Sequence, residues 1–157
     1  MRTKLIAAML CSLLSIASFA ADKAGFAVKY DGGSIADLKT GTDIRINPSG
    51  TTITISKGKT DVLSIPAASI TEISYGQDVH RRVGAAIGLA VISFGAGLLM
   101  ALAKSKKHYV GLTWATGDVK GGFAVQADKN DYRGLLAALE GLTGKKAVDS
   151  DSMNVKN

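Results

Sequence analysis

The residues of this chain best suited to chemistry are its two histidines, His80 and His108, with Asp78 two positions before the first. Two imidazoles and a carboxylate could give a zinc or copper ion three ligands and leave a position for water. An Asp-x-His pair is common in loops, however, and His108 opens a predicted strand, so the expectation is no metal and no cofactor. No Gly-x-Ser-x-Gly is present, no serine sits in a motif with a histidine, and no glycine loop carries a phosphate or dinucleotide fingerprint. Asp118, Asp128 and Asp131 fall where turns and helix caps use carboxylates. The sequence holds no catalytic constellation, and the expectation is a protein that is not an enzyme.

Its strongest chemical contrast is between apolar and cationic residues. Positions 83–103 carry no charge, with Arg81 and Arg82 before them and Lys104, Lys106 and Lys107 after. As one helix these residues would reach roughly 31 Å, close to the roughly 30 Å of a bilayer's hydrocarbon core. Four of them are glycine (Gly84, Gly88, Gly95, Gly97), which lowers their hydrophobicity. If strand 70–75 pairs with strand 108–116, the five cations meet at one end of a sheet and form a basic collar for anionic lipid. Each could then contribute up to about 1 kcal/mol. Gly84, Gly88 and Gly95 lie near one helical face and are candidates for helix association. A single crossing would strand the two halves of the domain on opposite sides of the membrane. Three arrangements stay open: a hairpin bent at 95–97 or an interfacial helix, a helix buried in protein or in an oligomer, and a true span with separated halves.

The N-terminus reads as a signal peptide, 1–20, with Arg2 and Lys4 ahead of an apolar run and Ser18-Phe19-Ala20 at the cleavage site; an uncleaved anchor is the alternative. Cys11, the only cysteine, sits in the middle of that run, which rules out lipidation at its end. Cleavage leaves no cysteine, so neither a disulfide nor a thiolate metal site is available. The net charge falls from +6 to +4 as Arg2 and Lys4 depart. The expected location is the periplasm or cell envelope, in association with membrane. A mildly basic surface without an aromatic platform gives no support for nucleic acid.

The elements that must position these groups are mostly strands. Alternation and β-branched residues predict strands at 26–30, 43–46, 51–56, 61–65, 70–75, 108–116 and 122–127, with turns at 31–34, 47–50, 57–59 and 117–118. Ile53 and Ile55 face one way in the clearest of them. A closing helix at 132–142 carries Tyr132, Leu135, Leu136 and Leu139 on one face, with Asp128 or Asn130 as its cap and Gly144 as its stop. The polar residues 145–157 lack periodicity and are expected to be disordered. One domain, 21–144, with the apolar insertion 83–103, accounts for the length.

With Ile65-Pro66, then Ile70-Thr71-Glu72-Ile73, and a terminal helix ending in Thr143-Gly144, the chain resembles bacterial pleckstrin-homology-like and GRAM-like domains of unknown function. The resemblance implies an α+β fold: a strongly bent antiparallel sheet or partly closed barrel of about seven strands, capped by the C-terminal helix. The insertion, an apolar helix or helical hairpin, departs from that pattern. The resemblance further implies a scaffold for binding lipid or peptide, without the basic first hairpin loop of phosphoinositide readers. The combined expectation is an exported, membrane-associated, non-catalytic binding or scaffold protein with membrane lipid as partner. The alternative is a soluble or homo-oligomeric interaction protein with the insertion buried in protein.

Overall fold

The computed structural model describes residues 25–88 and 107–151. The expected signal peptide within residues 1–24, most of the apolar insertion, Gly95, Lys104, Lys106 and residues 152–157 lie outside the described residues. Eight strands form one sheet: β1 (Phe26–Gly33), β2 (Asp43–Ser49), β3 (Thr52–Lys57), β4 (Thr60–Pro66), β5 (Ile70–Tyr75), β6 (His108–Thr116), β7 (Val119–Ala127) and β8 (Val148–Asp149). Their order is β4-β3-β2-β1-β7-β6-β5-β8. All neighbours are antiparallel except β8, which runs parallel to β5, so the sheet is mixed. Two α-helices complete the described fold, α1 (Val79–Ala86) and α2 (Tyr132–Thr143).

The period of two in the strands decides what is buried. Ile44, Ile46, Ile53, Ile55 and Ile65 from one arm meet Ile70, Ile73, Val110, Leu112, Phe123 and Val125 from the other in one core. Helix α2 closes that core with Leu135 and Leu139, four residues apart, and touches β2 on one side and β5 and β6 on the other. Contact with both arms requires the sheet to bend around the helix. A 3-10 turn, Ala67–Ser69, carries the chain directly from β4 to β5, yet these two strands do not pair. The sheet is therefore open, with β4 and β8 at its edges, and is not the partly closed barrel that the sequence suggested.

Three local differences have physical causes. Asp31-Gly32-Gly33, expected as a turn, continues β1 past a bulge to pair Gly32 with Ala124 and Gly33 with Phe123. A Cβ on Gly33 would overlap the backbone of Gly122 and Phe123, at a φ of 149° that other residues rarely adopt. Pro48 stands inside β2 opposite Ile53. It is tolerated because β1 pairs with β2 only as far as Ile46, which leaves the nitrogen of Pro48 with no strand beyond it to serve. The polar tail is ordered over its described part: Ala147 N–H donates to Glu140 Oε1 (2.7 Å), and Val148 and Asp149 pair with Ser74 and Tyr75. Backbone and carboxylate contacts hold it, so its lack of apolar periodicity gave no sign of this.

Candidate functional site

The sheet has an outer face as well as a core. Tyr109, Gly111 and Thr113 of β6 lie beside Gln126, Ala124 and Gly122 of β7 on that face, and α1 packs over them. Val79 and Val83, one turn apart, are fully buried there with Tyr109 and Ala124 as a second, smaller core. Two glycines make the approach possible. A Cβ on Gly111 would stand 2.6 Å from Val79 Cγ1 and 2.8 Å from Val83 Cγ2, and one on Gly122 would stand 3.0 Å from Val83 Cγ1 and 3.1 Å from Ile87 Cγ2. The helix thus begins four residues before the uncharged run. The first residues of that run belong to the domain's own packing.

A histidine–carboxylate contact and an arginine–carboxylate ion pair flank this apolar ridge. On the β1 side, His80 Nε2 lies 2.9 Å from Asp31 Oδ2, both side chains nearly buried, and the imidazole meets the Tyr109 ring edge to face with the ring centroids 4.9 Å apart. Burial and the negative charge of Asp31 together push the Tyr109 phenol above its usual range. On the β5 side, Arg82 donates from Nε to Glu72 Oε1 (3.0 Å) and from Nη2 to Glu72 Oε2 (2.7 Å). That two-point hydrogen bond raises the Arg82 pKa further above neutrality, against the opposing effect of burial.

These contacts redistribute the residues singled out from sequence. Arg82 is engaged in the fold and does not project as a member of a collar; Arg81 is exposed on the same helix. Lys107 lies at the root of β6, where its carbonyl accepts from Gln77 Nε2 (2.7 Å) beside the first turn of α1. Gly84 is buried in α1, whereas Gly88 falls beyond its last residue at φ 71°, so these two glycines do not share a continuous helical face. His80 and His108 are separated. His108 stacks on Tyr132 at 4.0 Å and 3°, on the core side of the sheet, and no group of three or more metal-ligating side chains occurs among the described residues. Asp128 builds the turn before α2 by accepting from Asn130 N–H (2.9 Å), and the helix begins after Asp131.

A groove of ≈490 Å³ beside His108 is lined by Lys29, Lys107 and Lys129 but also by Asp43 and Asp128, and Lys29 is paired with Asp43 at 2.8 Å. Near balance of charge makes it a poor anion site. A smaller cleft of ≈270 Å³ shares Lys107 and His108 and is walled by Tyr75, Tyr132, Asp149 and Asp151.

The pairing of the strands that flank the insertion is the decisive feature. β5 and β6, which bracket it, pair from Ile70 with Trp114 to Tyr75 with Val110, so the strands before and after it belong to one sheet. This excludes a true span with separated halves. No protein-family model matches the sequence, and no curated protein matches it either. No helix among the described residues is long and apolar enough to cross a membrane. The partners Glu72 and Asp31 and the cradle glycines Gly111 and Gly122 escaped sequence reasoning. The available signal was the Val79, Val83 spacing opposite strands with small residues on one face.

Proposed function

We propose that this chain is an exported, non-catalytic binding or scaffold module of the cell envelope, pleckstrin-homology-like in architecture, that holds its apolar segment against a membrane surface. The observation that carries the reading is the docking of α1. With α1 ending at Ala86, Ile87 set against Gly122 and Gly88 breaking the helix at a φ of 71°, the uncharged residues 89–103 would reach about 22 Å if helical, short of the roughly 30 Å hydrocarbon core. A segment of that length, leaving and re-entering one side of one domain, suits insertion into a single leaflet. Lys104, Lys106 and Lys107 at its return, with Arg81, supply attraction to anionic headgroups. The bent sheet with α2 between its arms supports the resemblance to pleckstrin-homology-like domains.

Flotation with phosphatidylcholine vesicles containing phosphatidylglycerol tests this directly. The native chain is expected to float, and a variant with 89–103 replaced by a glycine-serine linker to stay behind. A native chain that remains in the aqueous fraction as an oligomer, dissociated by the same replacement, would refute the membrane reading and select the protein-buried alternative.

A further inference from the structure

The C-terminal segment makes contacts out of proportion to its length. Ser150 N–H donates to Tyr75 O (2.7 Å), and the Ser150 side chain is nearly inaccessible, at 2% exposure. Asp151 Oδ1 accepts from Gln77 N–H (2.6 Å) and Asp78 N–H (3.3 Å), the residues that lead into α1, and from Ser150 Oγ (3.3 Å). Asp78 is the N-cap residue of α1, and the carboxylate from the tail takes up its N–H and that of Gln77 just before it, so the chain is held where it enters the helix. Room for this comes from Gly76, whose Cβ, if present, would meet the Ser150 hydroxyl and the Asp151 carboxylate (2.8 Å from Oδ1) at a φ of 119°. Gln77, fixed from one side by Asp151, bonds on the other to the carbonyl of Lys107. One short strap therefore touches the outgoing root of the apolar segment directly and reaches the returning root through Gln77.

We propose that Ala147–Asp151 is a strap that locks α1 onto the outer face of the sheet, and that releasing it frees the stem from which the apolar segment departs. The sheet does not depend on it. β8 adds only two residues at one edge, and of the strap only the partly buried Ala147 packs against the main core. α1, by contrast, is eight residues long, too short to persist without external support. The membrane consequence rests on the function proposed above, whereas the strap itself is a statement about the fold.

The test is amide hydrogen exchange on the full chain carrying Asp151→Ala, with Gly76→Ala as a second, independent way to expel the tail. Exchange in α1 is expected to rise about tenfold, the scale set by loss of a helix cap, while β1, β6 and β7 keep their protection. Unchanged exchange in α1 with faster exchange confined to β8 overturns the proposal, as does uniform acceleration through the sheet in the Asp151→Ala protein. Vesicle flotation of the same variants separates the two claims. If α1 loosens and binding rises, the strap gates the segment. If α1 loosens and binding by native and variant chains is equally absent, the membrane reading fails and the strap stands.

Discussion

Gly111→Ala is the sharpest test of the docked stem. The substitution is compatible with the strand backbone, since Gly111 has no left-handed φ, so any penalty must come from what the new methyl group meets. It would lie 2.6 Å from Val79 Cγ1, 2.7 Å from Ser74 Oγ and 2.8 Å from Val83 Cγ2. Carbon contacts relax to roughly 3.5 Å or more, so α1 must lift by about 1 Å. Overpacking of this kind costs about 1–3 kcal/mol, and replacing glycine by alanine in a strand returns roughly 0.5–1 kcal/mol. The net is a loss of about 1–2 kcal/mol, concentrated in α1, read as a rise of roughly 5- to 30-fold in its amide exchange. Val79→Ala in the same chain should relieve the clash. Taken alone it removes buried methyl groups worth roughly 1.6 kcal/mol, but in the Gly111→Ala background its cost should fall by about 1 kcal/mol. Additive effects of the two changes, or native exchange in α1 after Gly111→Ala, would show that the helix does not rest on β6.

Arg82→Met and Glu72→Gln should each destabilise the docked helix by about 1 kcal/mol, the value of a charge-assisted hydrogen bond reduced for partial exposure, and a double-mutant cycle by thermal melting should show coupling; additivity would refute the pair. Burial holds the Tyr30 and Tyr109 phenols above the usual tyrosine range. Because the folded state favours their neutral forms, this stability is complete below a pH of about 10 and is lost as the pH rises through the folded pKa values. Ultraviolet titration should therefore show a late phenolate fraction that coincides with alkaline unfolding, and Tyr109→Phe should move that unfolding to higher pH. Ionisation of all four tyrosines in one early, reversible step would contradict it.

The strands were legible because their signals are local. Ile53 and Ile55 alternate, Gly58 takes a φ of 62° between β3 and β4, and Gly144 stops α2 at a φ of 69°. What escaped was set by partners distant in sequence. Asp31-Gly32-Gly33 has the composition of a turn, and only β7 makes it a strand. Arg82 reads as a free flanking cation until β5 supplies Glu72. The tail reads as disordered because Asp151 is polar, although its polarity is what joins it to the Gln77 and Asp78 amides. For the candidate site, the apolar run and its flanks were visible, but its root was misplaced. α1 starts at Val79, inside a stretch whose polar residues, His80, Arg81 and Arg82, disguise a buried valine pair.

The pairing of β1 with β7 has a consequence for how the chain is made. Val28 pairs with Ile44 early, as part of a local meander, but its other neighbour, Ala127, is synthesised only after the whole uncharged segment. Until then the meander β1 to β4 has an unpaired inner edge as well as its permanent outer one, and half of the future core lies open. Such a high separation between partners slows closure, and the newly made apolar segment is the nearest hydrophobic competitor for the exposed face. Folding of this domain is therefore a race between β7 finding β1 and the apolar segment occupying the open face.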